Sequence, residues 1–242
     1  MNTEITPVIL VSNEIYWLPY VLETVRGLFK RYVIYDIGST DGTREVIEKF
    51  HNEEKNRTEF FIRLLPMCDP EIQGIFRNSM IAEAKSDWYF ILDGDELYHR
   101  QELNTFLQTV NLNVDKIYGV AKRTEFNPEL THAYNIQRGH HRLYHRTAIW
   151  KGTHPGEEPC TQQKSSTEFD INLMCYHMHN TLRSPKESEV PARLKRKSQK
   201  SYHPGEPTVP FKLLDKLPIL RSNFGFPICP ALEKLIKDSN GK

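Results

Sequence analysis

The chain has 242 residues, 38% hydrophobic and 26% charged, with a formal net charge of +1. That length can bury a sizeable core and that balance excludes a disordered chain, while the near-zero charge removes any bulk pull toward nucleic acid. No apolar run is long enough to cross a bilayer, and Met1-Asn-Thr-Glu lacks the basic and apolar regions of a secretory signal.

Taken in chain order, Pro7–Val11 is a short apolar run of the kind that forms a buried strand. After the polar Ser12-Asn13-Glu14, apolar residues from Ile15 to Phe29 recur at helical spacing, with Pro19 in the first turn where proline is tolerated. Tyr32–Tyr35 reads as a second strand, ending at Asp36. A tight loop, Gly38-Ser-Thr-Asp-Gly-Thr43, leads into a helix that either Asp41 or Thr43 caps. Phe60–Leu65 is a third strand, about 71–85 a helix with Ile75, Met80 and Ala84 inward, and Trp88–Leu92 a fourth strand. Strand and helix alternating in this way imply a mostly parallel central sheet with helices on both faces.

Beyond this point the pattern changes. Residues 100–110 read as a helix, followed by strand-like pieces at Ile117–Ala121, His141–His145, Ala148–Trp150 and Leu173–His177. The expected organisation is a nucleotide-binding half over 1–112 and a smaller β-rich part over 113–182. A basic helix and a proline-rich tail then occupy 183–242, with a short helix near Ala231–Lys237. Cys68, Cys160, Cys175 and Cys229 form no CxxC pair, so reduced thiols and a cytoplasmic location are expected.

In an open parallel sheet, ligands bind at the strand C-termini. Ser12–Glu14, Asp36–Thr43 and Asp93–Glu96 each follow a strand, so they should meet in one cleft. Asp93 and Asp95, spaced i, i+2, would converge on one cation if the backbone were extended. Oxygen ligands of this kind suit Mg²⁺ or Mn²⁺ accompanied by phosphates; the plainer alternative is an Asp-Gly turn with solvated acids.

Asp36-Ile-Gly-Ser-Thr-Asp-Gly-Thr43 resembles the D-x-G-S-T-D-G-T loop of family-2 glycosyltransferases with the GT-A fold. Arg77-Asn78, Ala84, Asp87-Trp88 and Leu92-Asp-Gly-Asp-Glu96 resemble that family's R-N…A-x-x-D-W…L-D-x-D-E segment. The resemblance covers about residues 7–98 and extends weakly to about 180. One departure is Ile37, where the commonest form of the loop has a second aspartate.

The resemblance implies a metal-dependent, inverting transfer of a sugar from a UDP, GDP or dTDP donor to a carbohydrate or other hydroxyl acceptor. Ser12, Asn13, Glu14, Asp36, Ser39, Arg77 and Asp93 would contact the nucleotide sugar, with Asp36 accepting a base N–H. Asp95 would ligate the metal, with His177 or His179 completing the site. Arg142-Leu-Tyr144 and Trp150-Lys-Gly-Thr-His154 resemble a further segment of some bacterial members, in which glutamate directly follows the histidine. Here Pro155-Gly156 intervene, which leaves Glu157 or Glu158 as the general base.

The basic 193–200 segment is either a solvated face or a contact with an anionic acceptor or membrane surface. Other readings are a nucleotidyltransferase, which would need a Gly- and Arg-rich loop where Ser12–Trp17 stands, a non-catalytic nucleotide-sugar-binding module, and a zinc hydrolase built on the histidines with Cys160 or Cys175.

Overall fold

A computed structural model describes residues 5–68, 72–112, 117–151, 158–161, 168–190 and 208–240. Its strands are β1 (Ile5–Val11), β2 (Arg31–Ile37), β3 (Glu59–Leu65), β4 (Trp88–Ile91), β5 (Glu96–Tyr98), β6 (Tyr118–Phe126), β7 (His132–His145), β8 (Ala148–Lys151), β9 (Glu158–Thr161), β10 (Glu168–His177) and β11 (Val209–Pro210). The helices are α1 (Leu18–Val25), α2 (Thr43–Glu54), α3 (Gln73–Ala84), α4 (Arg100–Thr109), α5 (Leu213–Lys216) and α6 (Pro230–Asn240).

One sheet runs β3-β2-β1-β4-β7-β6-β10-β5, with β11 beside β7; β8 and β9 form a separate hairpin. Strands β1 to β4 are mutually parallel where they pair. β7 is antiparallel to both β4 and β6, so β6 and its parallel neighbour β10 point the same way as β4. The C-terminal ends of β1, β2, β4, β6 and β10 therefore lie along one edge. β5, antiparallel to β10, begins at that edge.

The uninterrupted apolar run of β1 is explained by burial on both faces, as expected for parallel strands covered by helices. Ile9 and Val11 join Ile34, Phe90 and the α1 and α2 side chains in one core. Val8 and Leu10 join Val33, Tyr35, Tyr89 and Met80 of α3 in the other. Met80 and Ala84 are buried as expected, but Ile75 is 65% exposed, contrary to the sequence expectation. Five residues separate it from Met80, which places it about 140° around the helix from the buried stripe.

The proline-rich tail packs on the first core through Leu213, Leu217, Leu220 and Leu232. Residues 183–190 are not α-helical; they contain one 3₁₀ turn at Glu187–Glu189. The basic 193–200 segment lies outside the described residues. Cys175 and Cys229 are free thiols. Among the described residues, no helix is long and apolar enough to cross a membrane.

Candidate active site

The loops after β1 and β2 are knitted together by side chains. Ser39 Oγ accepts from Asn13 N (2.8 Å), and Asn13 Oδ1 accepts from Thr40 N (2.8 Å). Thr43 Oγ1 accepts from Glu14 N (2.8 Å), and Ser12 Oγ donates to the Ile37 carbonyl (3.0 Å). Asp41 Oδ1 accepts from Thr43 N (3.0 Å) and so holds the first turn of α2. Glycine is required at Gly38, where φ is +78° and a Cβ would lie 2.3 Å from Met67 N.

Asp36, at the end of β2, is fully buried. Its Oδ1 accepts from Arg44 Nε (2.7 Å) and Ser39 N (3.1 Å), while Arg44 Nη2 donates to the Leu65 carbonyl (2.8 Å). The other oxygen, Oδ2, is buried without a hydrogen-bond partner. A buried acceptor left open in this way is costly unless a ligand donates to it.

Asp93 and Asp95 do not converge on one point. They lie in a turn, closed by Glu96 N donating to the Asp93 carbonyl (3.1 Å), rather than on an extended strand. Asp93 accepts from Arg77 Nη2 (2.8 Å) and lies 3.3 Å from Arg142 Nη2. Asp95 Oδ2 instead lies 2.8 Å from Arg183 Nη1 and 3.4 Å from His177 Nε2. Between them, a Cβ on Gly94 would stand 2.8 Å from Glu14 Cγ and 2.9 Å from Val11 Cγ1, so the turn is pressed against the β1 loop.

Buried charge is balanced across the cleft. Burial opposes ionisation of Asp93, but Arg77 and Arg142 outweigh it and hold the carboxyl well below its usual range. Burial likewise opposes ionisation of Asp95, and Arg183 with His177 keeps it low. Glu96 is fully buried and paired with both Arg142 and His140 (2.9 Å); burial raises its pKa despite Arg142. Burial alone would lower His177, yet Asp95 and Glu125 raise it to about 9.

Two groups of side chains have metal-ligand chemistry among the described residues. Asp95, His177 and His179 each offer one ligand atom, all within 4.8 Å of one another. A carboxylate with two imidazoles fits a divalent transition ion, and the imidazoles make Mg²⁺ the poorer match than Mn²⁺. The second group is Glu96, His140 and Cys175. There the Arg142 guanidinium pairs with the carboxylate, as Arg183 does with Asp95 in the first group.

Ser12, Asn13, Glu14, Asp36, Ser39, Arg77, Asp93, Asp95, His177 and His179 all lie at or beside the one sheet edge. Arg77 is an internal ion-pair partner, 7% exposed, and its guanidinium lies 5.5 Å from the centroid of the Trp150 ring. Glu14 pairs with Arg183 Nη1 (3.1 Å). Glu157 lies outside the described residues, and Glu158 opens β9. The sequence reading placed Glu96 in the polar cluster after β4 and Arg183 in the basic run without giving either a role, and did not single out Arg44 or Glu125. A charged residue at a strand end, as at Glu96 and Glu125, is the one signal that points to any of them.

The glycosyl transferase family 2 model matches residues 7–179. The glycosyltransferase SunS of Bacillus subtilis, encoded by the SPbeta prophage, is 26% identical over 209 residues, covering 79% of this chain and 43% of its own length. SunS of Bacillus phage SPbeta matches to the same extent. The chain thus spans less than half the length of these curated relatives. Among solved structures, a mannosyltransferase of Pyrobaculum calidifontis in complex with GDP-Man and Mn²⁺ shares the fold with a TM-score of 0.50 at 12% identity, covering 98% of this chain and 75% of that one.

Proposed function

The chain belongs to glycosyl transferase family 2, and from that premise we propose that it moves a sugar from a nucleotide-diphosphate donor to a hydroxyl acceptor, with inversion and with a divalent ion, Mn²⁺ in preference to Mg²⁺. The observation that carries this reading is the meeting of Asp95, from the middle of the matched region, with His177 and His179 at its C-terminal end, beside the nucleotide-type loops. A nucleotidyltransferase is disfavoured by the same family match.

Asp36 Oδ2 takes an N–H of the donor's base, while Arg44 and Ser39 hold the other oxygen and fix the direction of the open one. Arg77 and Arg142 keep Asp93 ionised and aimed at the ribose or donor sugar. Asp95, His177 and His179 would hold the ion, which supplies Lewis-acid charge to the departing diphosphate. Arg183 places a second positive charge beside Asp95, where that negative charge builds.

In a single in-line displacement the acceptor oxygen bonds to the anomeric carbon as the carbon–diphosphate bond breaks. The hydroxyl proton passes to a carboxylate, for which Glu157 and Glu158 remain our assignments.

Differential melting of the protein with UDP, GDP or dTDP, each with and without Mn²⁺, tests the reading. A ligand bound only by the native state raises the melting temperature. One nucleotide should stabilise in an Mn²⁺-dependent way, and Asp95→Asn should abolish that dependence while the protein stays folded. Equal response to every nucleotide regardless of metal, with wild-type turnover in Asp95→Asn, would overturn it.

A further inference from the structure

Among the buried acids of this edge that the proposed function leaves unused is Glu125. Glu125 lies in the last turn of chain of β6, 6% exposed, and its Cα is in register with His177 on the parallel neighbour β10. Neighbouring strands stand about 4.8 Å apart, so in-register residues present side chains to the same face as lateral neighbours. His177 therefore sits between two carboxylates. Its Nε2 faces Asp95 Oδ2 at 3.4 Å, and its Nδ1 faces Glu125 Oε1 at 3.8 Å.

The ring is closely confined, its side chain 10% exposed, with His140 and His179 packed beside it at centroid distances of 6.0 Å and 5.0 Å. The 3.8 Å from Nδ1 to Glu125 Oε1 is somewhat longer than a direct hydrogen bond. Arg123 Nη2, 3.0 Å from the same Glu125 oxygen, anchors the carboxylate from the far side.

A histidine that ligates a metal through one ring nitrogen usually donates its other N–H to a carboxylate, which fixes the tautomer and ring plane and strengthens the ligand. From this arrangement we infer that Glu125 is the positioning residue for His177: it accepts the Nδ1 proton and presents Nε2 toward the ion held with Asp95. The inference rests on the metal reading above. Glu125 itself touches neither ion nor substrate.

The test is Mn²⁺ titration of the substrate-free protein followed by electron paramagnetic resonance. Glu125→Gln and Glu125→Ala should weaken Mn²⁺ by about 10- to 100-fold. Glu125→Asp should recover part of the affinity, and Arg123→Gln should keep most of it. Histidine nitrogen NMR of the Zn²⁺-loaded wild type should show His177 protonated at Nδ1. Wild-type Mn²⁺ affinity in Glu125→Gln, or a His177 metallated at Nδ1, would overturn the inference while leaving the metal reading intact. Absence of Mn²⁺ binding by the wild type would overturn the metal reading and the inference with it. Should Glu125→Ala fail to fold, Glu125→Gln and Glu125→Asp carry the comparison.

Discussion

The two sides of the sheet are built on different principles. From β1 to β4 the strands are parallel and close in sequence, and β1, β2 and β4 are buried on both faces while the edge strand β3 is not, so the site residues sit in loops set directly by the strands that precede them. From β5 to β10 the chain crosses itself: β7 enters between β4 and β6, and β5 lies at the far edge beside β10. The first region supplies buried carboxylates, Asp36, Asp93 and Asp95. The second supplies much of the charge that makes them tolerable, Arg142, His177 and Arg183, although Arg44 and Arg77 come from the first region itself. A motif can be compact in sequence and still depend for its charge balance on residues far along the chain.

That dependence can be broken most severely at Arg142. Arg142→Met would leave Glu96 uncompensated at a site closed to water and Asp93 less compensated at a partly exposed one, and breaking a buried pair typically costs about 3–5 kcal/mol. Urea unfolding should register a loss of that size; a loss under about 1 kcal/mol would mean the two regions are electrostatically independent.

Gly94→Ala probes contact within the first region alone. The added methyl meets Glu14 and Val11, and overpacking of this kind costs about 1–3 kcal/mol. The shift should appear in the same unfolding curves together with weaker nucleotide binding, and unchanged binding would show that the β1 loop yields freely. The smallest effect is expected at Ile75→Ser, on the solvent side of α3, where a change within about 0.5 kcal/mol is expected. A larger loss would place a partner over that helix face.

Legibility in the sequence follows the same division. β1, β2, β4 and α1 to α3 were readable because burial on both faces imposes apolar runs, and helices facing the sheet impose a stripe. β7 was half missed. Residues His132–Gly139 mix polar and apolar side chains without a clear apolar run, yet the strand extends through them because β6 pairs with it along most of its length. β5 and β11 are too short to carry a pattern, and their pairing partners are distant in sequence.

At the site, Asp36, Asp93 and Asp95 were legible because each ends a readable element. Arg142 was noticed only as part of a segment resembling some bacterial family members, and its tie to Glu96 is a long-range pairing that no local window contains. Glu125 and Arg183 escaped for the same reason. The i, i+2 argument for Asp93 and Asp95 assumed extended backbone, and the turn at Gly94 separates their directions.

Met178 N donates to the Asp95 carbonyl at 2.9 Å, and His177 pairs with Glu96 in the adjoining ladder. The main chains carrying Asp95, His177 and His179 are therefore stitched together before any ligand arrives. Groups already fixed in mutual position lose little conformational freedom when they engage a partner. Much of the entropy lost in assembling the site is thus borne when the chain folds, so a ligand arriving there meets groups already in place.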